Sequence, residues 1–296
     1  MLKADLLRSL TIDPRLHPRG QPQLSAASGL VCANARVYVV ADDEHHLAVF
    51  GDGTSPGRLH RLFDGDLPDD RKARKRLKPD LETLLWLPMR RALVALGSGS
   101  RPNRHTGVLI PLDVDGEPLA GPLHFDLQPL YEPLRAALGE INIEGAMLLG
   151  EEFVLLNRGV AGRSDNVAVH YPLQALIDAI DGRMRTVAPA LIRRYTLGHL
   201  DAVPLAFTDA AALPDGGWVF SAVAEDTGDS YADGDCNGSV VGVVDAGGEL
   251  VAPHRLDGPW KVEGVAARVE AEGMSLCLVT DADDPAQASQ LLLARL

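Results

Sequence analysis

An internal repeat constrains the fold more than any other feature of this sequence. Five segments share one pattern, in which an acid or a serine precedes a short apolar strand, a tight turn and a second apolar strand. The turns carry hairpin signals such as LPDGG at residues 213–217. The repeat therefore predicts five similar antiparallel hairpins spaced by roughly 54 to 65 residues. The aligned first positions are Ser28, Glu82, Glu144, Asp209 and Glu263.

A third strand and a weaker fourth strand follow most of these hairpins, as in TGVLIPLDVDGEP and then PLHFDL. Repeated four-stranded antiparallel units are typical of a β-propeller. We predict an all-β fold in which residues 1–296 form a single β-propeller domain of five blades. Six blades, or another all-β architecture if the strands are over-aligned, are the alternatives.

The two ends of the chain are predicted to share one blade. The last unit stops at LLLARL after three strands, and the N-terminal ADLLRSLTID can supply the missing outer strand, which removes exposed sheet edges. Two helical patterns, LQPLYEPLRAALGE and YPLQALIDAIDGR, are predicted as short insertions in or beside the third blade. The charged run at residues 69–79, DDRKARKRLKP, is predicted as a solvated loop because it holds both signs and a proline.

Composition narrows the classes of function. The formal net charge of −13 argues against a nucleic-acid partner, because phosphate binding needs clustered basic residues. Without an apolar run of roughly 20 residues or a leader pattern at the start, we expect no membrane span and a cytoplasmic location. The three cysteines show no CxxC spacing, and Cys32 and Cys277 lie in apolar stretches, where we expect them to be small core residues.

The propeller prediction gathers scattered polar residues at one place. The first strand of each blade lines the channel, and its start lies on the same rim as the loop joining the second and third strands. The long polar loops at residues 97–107, 157–166 and 224–239 fall on this rim, where binding sites are common. Besides the aligned acids, the rim is predicted to include Asp42, Ser98, Arg101, Arg104, Asn157, Arg158, Glu225, Asp226 and Asp281.

The four aligned acids cannot all stay ionised and unpaired in a partly buried channel. Ca²⁺ or another divalent cation could offset them, since such hard cations take oxygen ligands. An ion-pair network with Arg101, Arg104, Arg158 and Lys261 could do so with no metal, and channel water is the third alternative. The glycine that follows Glu144 and Glu263 fits a crowded channel, where backbone or ligand approaches closely.

The motifs IEG and VEG at the starts of the inner strands resemble those of calcium-dependent propeller hydrolases of the gluconolactonase and SMP-30 type, and of esterase-like phytase propellers. Through GSGSRPNR, LNRG and TDAAALPDGGWVFSAVAED, nearly the whole chain resembles a group of uncharacterised bacterial propeller proteins with no established activity. The lactonase-like families hold a metal with a Glu, an Asn and an Asp. The resemblance therefore implies Glu144, Asn157 and Asp209 or Asp281 as ligands, although this chain has five units rather than six.

Two classes of function remain open. In the first, the protein hydrolyses a small anionic ester, lactone or phosphoester, with Glu144 or Glu263 as a general base and His105 as a further acid–base residue. In the second, it is a noncatalytic propeller that binds a ligand or a protein. Arg101, Arg104, Arg158 and Lys261 are predicted to hold the anion. The candidate metal ligands are Glu82, Glu144, Asn157, Asp209, Glu263 and Asp281.

Overall fold

Short apolar segments that recur along the chain form the strands of five antiparallel sheets. A computed structural model describes residues 1–51, 53–158, 166–183, 185–226 and 235–296, apart from the side chains of Asp226 and Asp235. Strand β1 (Ala4–Ser9) comes first. Blade 1 then contains β2 (Ala27–Ala33), β3 (Arg36–Ala41), β4 (His46–Phe50) and β5 (Arg58–Arg61).

Helix α1 (Arg71–Leu77) leads into blade 2, which contains β6 (Leu81–Leu87), β7 (Ala92–Gly97), β8 (Thr106–Pro111) and β9 (Leu123–Asp126), with a 3-10 turn at Pro88–Arg90. Helix α2 (Gln128–Leu138) precedes blade 3. That blade contains β10 (Ile143–Leu149), β11 (Glu152–Asn157), β12 (Asn166–Pro172) and β13 (Leu191–Tyr195), with helix α3 (Leu173–Ile180) between the last two strands.

The remaining strands complete the ring. Blade 4 contains the short β14 (His199–Leu200), β15 (Val203–Ala212), β16 (Trp218–Asp226), β17 (Asp235–Val244) and β18 (Leu250–Arg255). Blade 5 contains β19 (Val262–Glu270), β20 (Gly273–Thr280) and β21 (Gln290–Arg295), and β1 pairs with β21 as its outer strand. The predicted closure of the ring by the N-terminal strand is confirmed.

Strands β2, β6, β10, β15 and β19 contact one another in that order, and β19 contacts β2. This closed ring of inner strands confirms the five-bladed propeller. An apolar cluster fills each interface between neighbouring blades. Successive side chains of a strand point to opposite faces, so an inner strand contributes to both of the clusters that it touches. In β2, Leu30 faces blade 5 while Val31 faces blade 2.

Two of the three helices confirm the predicted insertions beside blade 3. The charged run before blade 2 was predicted wrongly, because it folds as α1 rather than as a loop. The Asp70 side chain caps this helix by accepting a hydrogen bond from the Ala73 N–H at 2.7 Å. Buried Arg74 of α1 donates from Nε to Asp43 Oδ2 at 3.0 Å, so a basic residue of this run pairs with an acid of blade 1. No helix of the described residues is long and apolar enough to cross a membrane.

Candidate functional site: a charged channel rim

All five inner strands have a register shift, which lies near the strand start in four of them and in the middle of β15. The shift leaves out Glu82 in β6, Glu144 in β10 and Glu263 in β19. A residue left out of a ladder forms a β-bulge, which bends the strand and re-aims its side chain. The Glu144 carboxyl interacts electrostatically with both Glu82 and Glu263, so the bulges bring these side chains to one end of the channel.

Blade 4 departs from the predicted alignment. Its register shift falls at Thr208, so the alignment of Asp209 with the three glutamates was wrong by one position. Thr208 Oγ1 donates to the Val262 carbonyl at 2.8 Å. The Asp209 carboxylate accepts a hydrogen bond from the Val265 N–H at 2.9 Å, and burial raises its pKa well above the usual value. Asp209 therefore joins β15 to β19 in the channel wall.

Glycine beside the bulge lets neighbouring inner strands meet backbone to backbone. A Cβ on Gly145 would lie 2.9 Å from the Asp209 Cα. A Cβ on Gly264 would clash with the Ser28 carbonyl, and one on Gly29 would clash with the backbone of β6. The predicted close approach at the glycines of the IEG and VEG motifs is confirmed as a contact between backbones.

We define the channel rim as the charged side chains that interact with one another around the mouth of the channel. Among the described residues it includes eight carboxyl groups and four cations. They are Asp42, Asp80, Glu82, Glu144, Glu225, Glu263, Asp281 and Asp283, together with Lys78, Arg104, Arg158 and Lys261.

On the side of blades 3 to 5, Glu225 bridges two cations. Arg158 Nη2 lies 2.5 Å from Glu225 Oε2, and Arg158 Nη1 lies 3.7 Å from Glu144 Oε1. Lys261 Nζ lies 3.4 Å from both Glu225 Oε1 and Glu263 Oε1, and 2.8 Å from Asp283 Oδ2. Burial opposes the charges of both cations, but the surrounding carboxylates outweigh it and raise their pKa values.

The Glu144 carboxyl has a strongly perturbed pKa. Burial raises the pKa of its carboxyl to about 8, and Glu263 and Asp80 add to the shift although Arg158 opposes it. Asn142 Nδ2 donates to Glu144 Oε1. At neutral pH the carboxyl therefore holds a proton, and Oε2 is the oxygen left to carry it.

On the side of blades 1 and 2, Asp80 collects the hydrogen bonds. Lys78 Nζ contacts Asp42 and lies 2.8 Å from Asp80 Oδ1, while Arg104 Nη1 lies 2.7 Å from Asp80 Oδ2. Ser98 Oγ also donates to Asp80 Oδ2. Burial opposes ionisation of Asp80, but Lys78 and Arg104 outweigh it and lower its pKa, so this acid stays ionised.

Three carboxylates on this side converge on one point. Oxygen atoms of Asp42, Asp80 and Glu82 all lie within 4.8 Å of one another, and we call this group the cation site. Carboxylate oxygens are the ligands of hard cations, so these residues fit Ca²⁺. Burial, followed by the charges of Asp80 and Glu144, raises the pKa of Glu82 well above its usual value. Lys78 already contacts two of the three acids and is a competing internal counter-ion.

Lys78 and Asp80 were missed by sequence reasoning. Asp80 lies two residues before the bulge residue Glu82, and Lys261 has the same position relative to Glu263. Asp80 also has a positive φ of 59°, which turns the chain directly before β6. A polar residue at this position in more than one blade was the available signal.

Asn157 and Asp281, two further residues of the predicted site, each accept a hydrogen bond from a backbone N–H group. Asn157 Oδ1 accepts the Asn142 N–H at 2.8 Å and thereby secures the start of β10. The Asp281 carboxyl accepts the Asp283 N–H at 2.7 Å, and burial raises its pKa well above the usual value.

Two basic residues of the loop between β7 and β8 complete the predicted set. Arg101 is partly buried there, and its carbonyl accepts the Arg104 N–H at 3.0 Å. His105 Nδ1 lies 2.8 Å from Asp126 Oδ1 at the end of β9, the outermost strand of blade 2. The structure thus pairs His105 with the outer part of its blade. Residues 159–165 and 227–234 of two predicted rim loops, and the Asp226 side chain, lie outside the described residues.

Fold and site together define a five-bladed β-propeller with an acidic, arginine- and lysine-containing channel rim. The chain belongs to a family of unknown function (DUF6929), whose model matches residues 23–296. A search of curated proteins finds no match.

Solved structures with similar folds include enzymes and a protein complex. A putative gluconolactonase has 11% identity and a TM-score of 0.47, with 99% of this chain and 92% of that chain covered. A gluconolactonase from Xanthomonas campestris has 12% identity and a TM-score of 0.40, covering 93% and 87%. A nidogen/laminin complex has 12% identity and a TM-score of 0.42, covering 94% and 90%.

Proposed function

We propose that the channel rim binds a divalent cation and hydrolyses a small anionic ester, lactone or phosphoester. The observation that carries this proposal is the cation site, where oxygens of Asp42, Asp80 and Glu82 lie within 4.8 Å of one another. The same rim holds Glu144, whose pKa of about 8 keeps it protonated at neutral pH. In such a hydrolysis water adds to the reacting carbon or phosphorus and the leaving oxygen departs, so a bound cation would activate the water and a proton donor would protonate the leaving oxygen.

The cations of the rim already have acid partners, and this pairing sets an order of events. A small anion that approaches Arg158 and Lys261 must compete with Glu225 and Asp283, which already pair with these two cations. A divalent cation at the cation site would supply a further positive charge and would polarise an oxygen of the reacting group. Arg158 and Lys261 face the channel from blades 3 and 5. With a divalent cation bound, their carboxylate partners would compete less strongly for them, and both residues could bind the anionic substrate.

Glu144 is the proposed general acid. The hydrogen bond from Asn142 fixes Oε1, so the proton at Oε2 can pass to the leaving oxygen of the substrate. Its raised pKa lies close to neutral pH, where a proton donor is most effective. This assigns Glu144 the role of an acid in the first step rather than that of a base.

Calcium-dependent stability and turnover test this function together. At a Ca²⁺ concentration about 100 times Kd, binding to the folded state adds about 2.7 kcal/mol and raises Tm by about 5 °C. Hydrolysis would be screened with lactones, carboxylic esters and phosphoesters, with and without chelator. Asp42→Asn is expected to lose the Ca²⁺ shift and turnover, and Glu144→Gln to lose turnover alone. Glu151→Gln, in the exposed turn between β10 and β11, is the matched control.

A noncatalytic binding propeller is the second proposal. It is supported by Lys78, which contacts Asp42 and Asp80 and gives the cation site an internal counter-ion. In this case small anions would shift Tm through Arg158 and Lys261, whereas Ca²⁺ would not, and no ester or lactone would be turned over. A Ca²⁺ shift that Asp42→Asn abolishes would exclude this second proposal.

A further inference from the structure

The seam between blades 5 and 1, where the ring closes, carries two of the three cysteines. Cys32 lies in β2, the inner strand of blade 1, and Cys277 lies in β20, the second strand of blade 5. The expectation that both are core residues was wrong for Cys32, which is exposed, while Cys277 is partly buried. An exposed thiol beside a half-buried one is accessible to small oxidants.

The two side chains face each other across the seam. Leu30 and Val279 belong to the apolar cluster between these blades. Side chains two positions apart lie on the same face of a strand, so Cys32 shares the face of Leu30 and Cys277 shares the face of Val279. Cys277 itself packs against this cluster, Leu30 and Val279 both lie within 3.2 Å of the point that a Cβ on Gly264 would occupy, and the two thiols shift each other's pKa.

We propose that Cys32 and Cys277 form a peroxide-sensitive pair of thiols that oxidises to a disulfide across the seam between blades 5 and 1. The oxidant is hydrogen peroxide. This site is independent of the channel rim and of the function proposed for it.

The surroundings assign each thiol a role. The hydrogen bond from Cys32 lowers the pKa of Cys277 to about 7 against the opposing effect of burial, so a large share of Cys277 is thiolate at neutral pH. The same interaction raises the pKa of Cys32, which stays protonated. Cys277 is therefore the nucleophile towards peroxide, and Cys32 is the resolving thiol.

The reaction balances without a further reactant. The Cys277 thiolate attacks one peroxide oxygen, the O–O bond breaks, and hydroxide leaves and takes up a proton to become water. This step oxidises Cys277 to a sulfenic acid. The Cys32 sulfur then attacks the Cys277 sulfur and displaces hydroxide, which leaves with the Cys32 proton as a second water. Two thiols and one peroxide thus give one disulfide and two waters.

The disulfide would join positions near the two ends of the chain. A cross-link between residues 32 and 277 restricts the unfolded chain over almost its whole length. Because the bond also fastens blade 5 to blade 1, the oxidised protein should melt on the order of 5 to 10 °C above the reduced protein.

Thiol counting and peptide mapping on the full chain test the proposal. Reduced protein is treated with equimolar hydrogen peroxide, and free thiols are then titrated after denaturation. We expect one thiol per chain to remain, a linked peptide containing Cys32 and Cys277, and recovery of all three thiols with dithiothreitol. Three thiols after oxidation, or a linked peptide that joins either residue to Cys236, would overturn the proposal.

Three variants separate the roles of the cysteines. Cys32→Ser should accumulate a sulfenic acid at Cys277 that a dimedone reagent traps, and it should lose the rise in Tm on oxidation. Cys277→Ser should react with peroxide at least tenfold more slowly, and Cys236→Ser should behave as the wild type. Equal rates of sulfenic acid formation in Cys32→Ser and Cys277→Ser would contradict the assignment of Cys277 as the nucleophile.

Discussion

Replacing Glu144 with glutamine should change how the stability of this protein depends on pH. The wild-type carboxyl has a folded-state pKa of about 8, against 4.5 for an ordinary glutamate, because it is buried beside Glu263 and Asp80. The folded state therefore holds this proton more tightly than the unfolded state. The contribution of Glu144 to stability is fully present below about pH 4.5 and is lost as the pH rises to about 8.

The size of the effect follows from the same shift. One pKa unit corresponds to about 1.4 kcal/mol, so the loss between about pH 5 and pH 8 is up to about 4 kcal/mol. Glutamine has a similar shape and does not titrate, so Glu144→Gln avoids this loss. Acids that do not interact with Glu144 titrate alike in both proteins and cancel in the comparison.

Urea denaturation at several pH values measures the difference directly. The free energy of unfolding of Glu144→Gln, minus that of the wild type, should rise by about 4 kcal/mol from pH 5 to pH 8. Glu151→Gln in the exposed turn controls for the loss of one acid and should show a constant difference. If the curve for Glu144→Gln ran parallel to the wild type, Glu144 would not be a buried, protonated acid.

Three further variants test other parts of the rim. Arg158→Met removes the cation that lies next to the Glu225 side chain, so it should lower the free energy of unfolding by about 3 kcal/mol in urea denaturation. An unchanged free energy of unfolding would contradict this. Gly264→Ala should lower stability by about 1 to 3 kcal/mol, whereas Gly51→Ala, with open space around it, should be near neutral; equal effects would refute the backbone contact. Lys78→Met should increase Ca²⁺ affinity in calorimetry, since a competing cation is removed, and unchanged affinity would contradict this.

The fold was largely predictable because each blade repeats its own local signals. The hairpin at residues 213–217 and the alternation of Leu30 and Val31 require no knowledge of distant contacts. Helix α1 was mistaken for a loop because its charges are satisfied by acids such as Asp43, which is distant in sequence. Composition alone cannot distinguish a charged residue in contact with solvent from one that forms an ion pair with a neighbouring blade.

The sequence predicted that several blades contribute an acid to the site, but it did not always identify the correct residue. Glu82, Glu144 and Glu263 were found because each bulge residue starts an apolar strand. Asp209 was misplaced by one residue, because the position of a bulge depends on pairing with the next strand and not on the sequence of one strand. The contact of Lys78 with Asp42 depends on how α1 delivers the chain to β6, which local patterns do not specify.

Calorimetric titration with Ca²⁺ at several pH values tests the central claim most directly. The wild type should bind one Ca²⁺ per chain, with affinity that rises with pH because burial raises the pKa of Glu82, which must be ionised to act as a ligand. Glu82→Gln should bind at least about tenfold more weakly, which is about 1.4 kcal/mol, and should lose that pH dependence. Absence of Ca²⁺ binding to the wild type, or equal affinities for wild type and Glu82→Gln, would contradict a cation site at the channel rim.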